Sequence, residues 1–344
     1  MSRSEISVVG YDLLGSQGSD GIRYAWKYQH GEAFIESAAF PQHRVGQEDG
    51  ICGYTTSVSA GCILRSFHEQ CVFCRTGNVL PFNGLLSYKD IAKQNIFMVL
   101  ADMNCKDHPE LHDCPREFAY MGQGEPGFSY QQVRLAIELT NRAMSELGQC
   151  VYRHIFATSG VPDAITALKK DIQNYYTQRV TLHFSLHASG ERETLMPIEK
   201  RWSFKEVLHV MDDFYSIAGE KPCIGIMLFN HFSPRNNEGY SYSNGLENIE
   251  SILSYLDPRK YRLSFCTYNS SADICTSEIY PPELAAAILE HTQKLGFEAK
   301  LFSSFGKEKQ TACGMLGGKE PERTASEKWI EIEKQVDQMI AQLA

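Results

Sequence analysis

The chain has 344 residues, of which 43% are hydrophobic and 11% aromatic, so it can bury a core of barrel size with a small appendage. A net charge of -9 argues against an indiscriminate nucleic-acid binder, whose affinity rests on neutralising phosphates. The sequence contains no run of 18 apolar residues and no signal segment, which predicts a cytoplasmic protein without membrane association. Its eleven cysteines do not have the spacing of a disulfide framework and favour metal binding or thiol chemistry.

The first fifty residues predict an N-terminal unit made of an arm and a β-hairpin. Residues 1–20 are polar and rich in Gly and Ser, which predicts a loose arm. Residues 22–41 alternate between apolar and polar, with a turn at Gly31, as is typical of a hairpin. A polar stretch over 42–51 then leads into the next unit.

A cysteine-rich loop follows, in which Cys62 precedes the pair Cys71-Val-Phe-Cys74. Three cysteines on one short loop can place three thiolates on one face. Four thiolates would suit zinc or a fully ligated iron–sulfur cluster, whereas three leave one metal corner open. From this loop alone, a zinc knuckle and a redox pair remain alternatives.

From the cysteine loop to about residue 306, the pattern alternates strand and helix. Strands are predicted at 118–121, 152–156, 180–185, 223–228, 262–268 and 299–302, and helices from Ser87 and at 130–147, 162–172, 203–217, 245–255 and 281–295. About six such units predict an α/β fold, an open partial TIM-like (β/α)6 barrel over 51–318 with its function at the carboxyl ends of the strands. A Gly/Pro-rich hinge at 317–321 precedes a C-terminal helix at about 325–343, which we assign to a unit of residues 319–344.

Polar or glycine-rich residues follow four of the predicted strands. They are Gly122-Gln-Gly124-Glu125-Pro126, Ala157-Thr-Ser159-Gly160, Ser185-Leu186-His187-Ala188 and Tyr268-Asn269-Ser270. Each is commonplace singly, as a turn, a cap, a buried hydroxyl or a satisfied core histidine. Their shared position, beyond successive strands of a chain that opens with a three-cysteine loop, indicates a ligand site.

This ordered set of motifs resembles the radical S-adenosylmethionine (SAM) family that methylates an adenosine carbon of ribosomal RNA, the RlmN/Cfr family. Further matches are Arg75-Thr-Gly77, Val161-Pro162 and Ala312-Cys313-Gly314. The resemblance implies that Cys62, Cys71 and Cys74 ligate a [4Fe-4S] cluster. It also implies an RNA or nucleotide substrate, a reducing partner such as flavodoxin or ferredoxin, and a set of residues that bind SAM: Gly124, Glu125, Ser185, Leu186, His187 and Asn269.

The resemblance further implies a relay through Cys313. This cysteine would receive a methyl group from one SAM, and a radical from a second SAM would take a hydrogen from that methyl. The resulting carbon radical would add to an electron-poor aromatic carbon. A second cysteine thiolate would then attack the sulfur of Cys313 to release the product, and Glu36, at the position of the family's base, would remove the proton.

The chain departs from the family pattern at several positions. Eight residues, Ile63 to Gln70, separate the first two cluster cysteines where the family has three, so the substrate is expected to differ. The family's second, resolving cysteine lies seven residues before the first cluster cysteine, and Thr55 occupies that position here. Cys52, ten residues before Cys62, is our candidate for that role. Ala157 replaces a family serine. Only about twenty residues precede the hairpin, so the family's N-terminal RNA-gripping helical domain is expected to be absent.

One cluster lies outside the resemblance: Cys105, His108, His112 and Cys114 fall within ten residues and offer ligands for structural zinc. Pro109 lies between the histidines and the spacing is too compressed for a familiar zinc knuckle. We therefore favour a polar loop inserted before the strand at 118.

Three functions remain open at this stage. The first is a radical SAM methyltransferase that acts through Cys313 on an sp2 carbon, with an adenine in RNA as the default substrate. The second is a radical SAM enzyme that abstracts hydrogen directly from a small molecule, nucleotide or peptide. The third is a non-catalytic, metal-containing nucleic-acid-binding module.

Overall fold

The N-terminal strands form an antiparallel meander in the structure, a computed structural model that describes residues 4–15, 21–40, 50–237, 239–302 and 315–344. β1 (Ile6–Leu14) pairs with β2 (Gly21–Tyr28), which pairs with β3 (Phe34–Phe40). The prediction of a loose arm over residues 1–20 is wrong for Ile6–Leu14. Along β1 every second side chain is buried, and this alternation lets one face of the strand pack on the core.

Beyond the meander, longer strands alternate with short paired segments. The remaining strands are β4 (Cys52–Thr55), β5 (Ser59–Ala60), β6 (Gly84–Leu85), β7 (Arg116–Tyr120), β8 (Val151–Thr158), β9 (Val180–Ser185), β10 (Cys223–Leu228), β11 (Ser233–Pro234), β12 (Arg262–Thr267), β13 (Cys275–Thr276), β14 (Glu298–Phe302) and β15 (Arg323–Thr324). Together with the meander, eight of these strands form one eleven-stranded sheet in the order β14-β12-β10-β9-β8-β7-β4-β3-β2-β1-β15. The seven strands from β14 to β4 are mutually parallel.

Helices cover the sheet between successive parallel strands. They are α1 (Arg75–Val79), α2 (Tyr88–Met103), α3 (Tyr130–Glu146), α4 (Pro162–Asn174), α5 (Arg192–Leu195), α6 (Phe204–Met211), α7 (Phe214–Ala218), α8 (Leu246–Leu253), α9 (Pro282–Lys294) and α10 (Glu327–Leu343). Ser87 caps α2 by accepting the N–H of Asp90 at 3.2 Å. The helix predicted over 203–217 is divided into α6, which Ser203 begins with a capping box, and α7.

The predicted α/β partial barrel is confirmed, with six strand–helix units and a seventh parallel strand, β14, that closes the series. The sequence reading missed β4, which has only four residues. The division at residues 50 and 318 stays a prediction, and the sheet continues without a break from β4 into β3. In the ranges that the structure describes, no helix combines the length and the apolar character needed to span a membrane.

Candidate active site

A cavity of about 1370 Å³ lies against the parallel strands and reaches the cysteine loop. Most of the site residues predicted in the described ranges line its wall: Glu36, Cys62, Cys71, Cys74, Gly124, Glu125, Ser185 and His187. Leu186 and Asn269 are buried nearby without belonging to that wall. The fold thus gathers residues from five separate segments because the parallel strands end at a common edge of the sheet.

The three loop cysteines share one electrostatic environment. Burial raises the pKa of Cys62 to about 12, and the nearby Cys74 raises it as well. Burial also raises the pKa of Cys71, and both Cys74 and Cys62 contribute. The thiols of Cys62 and Cys71 are therefore protonated at neutral pH by themselves, and a cationic group that displaces the protons would stabilise their thiolates.

These cysteines do not converge on one point. Across the described ranges, no three His, Cys, Asp or Glu side chains are arranged to hold a single metal ion. A cluster has different needs, because each thiolate binds a different iron and the sulfurs stand farther apart than the ligands of one ion. The donor set therefore suits a cluster with one open iron better than it suits zinc.

The backbone of the loop is held by Asn78. Its side-chain Nδ2 donates to the carbonyl of Cys71 at 2.9 Å and to that of Cys74 at 2.7 Å. The N–H of Val72 donates to the carbonyl of Leu195 at 3.0 Å, which ties the same turn to α5. At Gly61, φ is 78° and a Cβ would lie 2.1 Å from a backbone oxygen, so only glycine fits at the entry to the loop.

The lengthened part of the loop turns away from the cavity. Of residues 63–70, Leu64 alone lines the wall, whereas Phe67 is 39% exposed and packs on Phe128 at a ring distance of 5.5 Å. The guanidinium of Arg201 lies 4.5 Å from the Phe67 ring and pairs with Glu69 at 2.9 Å. The extra residues are thus docked on the outside of the barrel.

Glu125 is a preorganised carboxylate at the carboxyl end of β7. It is 5% exposed and accepts from the Thr158 hydroxyl at 2.6 Å and from the N–H and hydroxyl of Ser159 at 2.7 and 2.6 Å. At the preceding Gly124, φ is 105° and a Cβ would lie 2.1 Å from the Ser59 hydroxyl. Neutral donors orient the charge without a countercharge in these contacts, which leaves it able to attract an ammonium group.

His187 lies in the left-handed region, with φ 60°, directly after β9. Its Nδ1 accepts the N–H of Met227 at 3.1 Å, so the hydrogen of the neutral ring is on Nε2. Burial lowers the pKa of His187 to about 3, and Arg192 lowers it further. The ring is therefore a neutral donor at physiological pH, and it packs edge-on against Phe73 at 5.2 Å.

Glu36 also faces the cavity, but its carboxylate is already engaged. It forms an ion pair with Arg23, and it accepts the side-chain amide of Gln123 at 3.0 Å and the N–H of Gly318 at 2.8 Å. The residue is 1% exposed. The hairpin strand therefore brings this carboxylate to the site and to the C-terminal part of the chain at once.

Cys52 does not fit the resolving role expected for it. Its side chain does not line the cavity, whereas Ile51 and Thr55 on the same stretch do. Because neighbouring side chains of a strand point to opposite faces, Cys52 points outward, and it forms a disulfide with Cys114. Thr55, at the family position of the second cysteine, carries no thiol.

No family model matches the chain, but curated proteins with similar sequences do. The chain is 26% identical to a probable dual-specificity RNA methyltransferase RlmN of Heliobacterium modesticaldum, over 86% of this chain and 70% of the relative. It is also 26% identical to the ribosomal RNA large subunit methyltransferase Cfr of Clostridium botulinum, over 78% and 70%. The crystal structure of a radical SAM methyltransferase from Sphaerobacter thermophilus superposes with a TM-score of 0.71 at 19% identity, covering 92% of this chain and 82% of that one.

The chain is thus similar to the RlmN and Cfr methyltransferases over most of its length. This likeness indicates an RlmN/Cfr-like enzyme, and SAM is the cofactor from which radical SAM methyltransferases take their name. Cys313, the cysteine that matches the methyl-carrying position of the RlmN/Cfr family, lies outside the described residues. Shortly after it the chain is described again at Met315, and Leu316 lines the cavity.

Two residues of the loop that offered zinc ligands have other partners in the structure. Cys114 is committed to the disulfide with Cys52, and His112 Nε2 lies 3.0 Å from the carbonyl of Cys105. A four-ligand zinc site would therefore lack one of its donors.

Two site residues were missed by the sequence analysis, Asn78 and Arg192. Arg192 is 1% exposed, and its Nη2 donates to the carbonyls of Ser159 and Ser185 at 2.6 and 3.2 Å, which joins the ends of β8 and β9. Burial lowers the pKa of Arg192. A single asparagine or arginine has no spacing signal, so only the fold reveals these two contacts.

Proposed function

We propose that this enzyme uses a [4Fe-4S] cluster and SAM to methylate an sp2 carbon, with an adenine in RNA as the default substrate. Cys62, Cys71 and Cys74 would hold the cluster. The SAM site would comprise Gly124, Glu125, Ser185, Leu186, His187 and Asn269. Cys313 would carry the methyl group, and Glu36 would accept the proton.

The observation that supports this proposal most is the shared cavity. Three cysteines, a carboxylate held by neutral donors and a neutral histidine face one space of about 1370 Å³, and burial raises the pKa of two of these cysteines, Cys62 and Cys71. An iron–sulfur cluster next to a cofactor with an ammonium, a carboxylate and a sulfonium needs these donor types. A zinc module would need neither the carboxylate nor the large cavity.

Three residues of the proposed SAM site would contact different groups of the ligand according to their charge. Glu125 would accept hydrogen bonds from the ammonium of SAM, since its own donors already fix its orientation. The backbone at Gly124 can come close to the ligand because no side chain intervenes. The neutral ring of His187 would donate from Nε2 to an acceptor on the ligand without adding positive charge.

A protein-bound methyl carrier suits the chemistry of the substrate. The carbon between the two ring nitrogens of an adenine is neither acidic nor nucleophilic, so a simple displacement cannot methylate it. When bound, the cluster and SAM together supply radical chemistry and methyl groups. A carboxylate such as Glu36 is needed to accept the proton that the ring carbon loses.

Two experiments test the proposal. Anaerobic reconstitution should give a brown protein with about four irons per chain, and replacement of all three loop cysteines with alanine should abolish that iron. Incubation with total RNA and isotopically labelled SAM should then place the label in RNA adenines. A colourless, iron-free preparation would exclude the cluster, and label confined to free nucleotides or peptides would exclude an RNA substrate.

A second candidate function is favoured by the residue at position 55. With a threonine at the family position of the resolving cysteine, and with Cys52 in a disulfide, release of a product from Cys313 lacks its expected thiol partner. Direct hydrogen abstraction from a substrate needs no such thiol. Production of 5′-deoxyadenosine by an enzyme whose Cys313 stays unmethylated would favour this second function.

A further inference from the structure

Three buried charged residues stand in a row on β1, β2 and β3. Arg23 lies between Asp12, whose carboxylate is 2.6 Å from Arg23 Nε, and Glu36, whose carboxylate pairs with Nη1. All three are at most 1% exposed. One positive and two negative charges carry a large desolvation cost, so each remaining polar atom is expected to have a partner.

Apart from Gln123, which donates to Glu36, those partners come from one short stretch of backbone. The N–H of Gly318 donates to Glu36 at 2.8 Å, and the N–H of Glu322 donates to Asp12 at 2.7 Å. Arg23 donates from Nη1 to the carbonyl of Lys319 at 3.0 Å and from Nη2 to that of Glu320 at 3.4 Å. Four hydrogen bonds therefore attach residues 318–322 to the N-terminal meander, and none of them uses a side chain of that stretch.

The beginning of the same stretch is attached to the cysteine loop. Thr76 lies two residues after Cys74 in the chain, and its hydroxyl donates to the carbonyl of Leu316 at 2.7 Å. Gly317 packs so tightly on the guanidinium of Arg75 that a Cβ would lie 1.8 Å from it. Residues 316–322 thus bridge the proposed cluster site and the Asp12–Arg23–Glu36 row.

The position of this bridge in the sequence gives it a functional meaning. Leu316 follows Cys313 by three positions, and a step of three residues in extended chain spans at most about 11 Å. Anchoring the bridge therefore restricts where the methyl-carrying cysteine can reach. An ordinary structural ion pair offers a contrast: Arg153 pairs with Glu117 at 2.6 Å, and no hydrogen bond or ion pair found within the described ranges joins it to residues 315–322.

We propose that Asp12, Arg23 and Glu36 form a clamp whose role is to position the segment that carries Cys313. Asp12 and Arg23 are positioning residues, and Glu36 combines this role with its place in the cavity wall. The inference rests on the proposed function of Cys313 for its catalytic consequence, but the clamp itself can be measured independently of it. Asp12 is the decisive residue, because it does not line the cavity and cannot exchange a proton with a substrate there.

Hydrogen exchange followed by mass spectrometry tests the clamp in the full-length protein. Asp12→Asn and Arg23→Met should speed exchange in peptides covering 316–323 by about ten- to a hundredfold, the effect expected on losing hydrogen bonds to buried charges. Arg153→Met, which removes a buried arginine elsewhere, should leave those peptides unchanged. Unaltered protection in Asp12→Asn would overturn the clamp, and this variant also serves if Arg23→Met fails to fold.

The methylation of Cys313, measured by peptide mass spectrometry after incubation with SAM, tests the consequence. Asp12→Asn should lower its occupancy at least tenfold while circular dichroism and SAM binding stay unchanged. Faster exchange with undiminished methylation would refute the positioning role. If the wild type is never methylated at Cys313 but the variants still exchange faster, the clamp is supported and the proposed relay is overturned. The two failures are therefore distinguishable.

Discussion

The disulfide between Cys52 and Cys114 makes a quantitative prediction about stability. It closes a loop of 62 residues that contains the entire cysteine loop, α1 and α2. In the chain-entropy treatment, a cross-link over a loop of this length stabilises the folded state by about 4 kcal/mol at 25 °C. With an unfolding entropy of about 2 cal/mol/K per residue, the whole chain should lose roughly 6 °C of Tm when the bond is broken.

Scanning calorimetry with and without a thiol reductant measures this loss. The wild type should melt about 6 °C lower with reductant, because reduction relaxes the loop only in the unfolded chain. Cys52→Ala and Cys114→Ala should melt near the reduced wild type under both conditions. Cys105→Ala, on the same inserted loop but outside the disulfide, should keep the wild-type response to reductant.

The same variants decide between a structural and a resolving role for Cys52. A structural disulfide predicts that Cys52→Ala and Cys114→Ala turn over alike once reductant is present. A protein–substrate adduct that accumulates in Cys52→Ala but not in Cys114→Ala would refute this reasoning and restore Cys52 to the mechanism. A wild-type Tm that ignores reductant would show that the bond contributes nothing to stability.

Three further outcomes follow from the described contacts. Glu125→Gln should weaken SAM binding by roughly ten- to a hundredfold in calorimetry, since a charge-assisted bond to the ammonium is lost, whereas Glu331→Gln on α10 should not. Asn78→Ala should lower the iron content after reconstitution because the Cys71 and Cys74 carbonyls lose their shared donor; Asn104→Ala, which removes a 2.8 Å bond to the Leu100 carbonyl, should leave iron unchanged. Burial lowers the pKa of His154 to about 3 in the folded chain, whereas a histidine in the unfolded chain titrates near pH 6.5. Between these values only the unfolded chain binds the proton. The free energy of unfolding should therefore fall by about 2 kcal/mol between pH 7 and 5 because of His154. The denaturant midpoint should fall over this pH range in the wild type, and it should fall less in His154→Gln. Equal changes of the midpoint with pH in the two proteins would contradict the assignment.

The elements that the sequence predicted well have strong local signals. β9 and β10 were placed at their observed bounds because short apolar runs end at turn residues on both sides. β4 was missed because four residues are too few to show a period. The helix predicted at 203–217 is divided at residues 212–213. The prediction missed this break because the helical spacing of apolar residues continues across it, and only the packing of α6 and α7 imposes it.

For the site, too, some features were predicted from the sequence and others became known only from the tertiary structure. The amino-acid sequence alone named candidates for ligating iron and binding an ammonium, through its three-cysteine loop and through its resemblance to the RlmN/Cfr family. Tertiary structure decided their partners: the disulfide that removes Cys52 from the cavity, the outward course of residues 63–70, and the Asp12–Arg23–Glu36 row that holds residues 318–322. The physical reason is that the partner of a buried charge or thiol depends on which strands become neighbours in the sheet. The residues next to it in the chain do not indicate which strands these are.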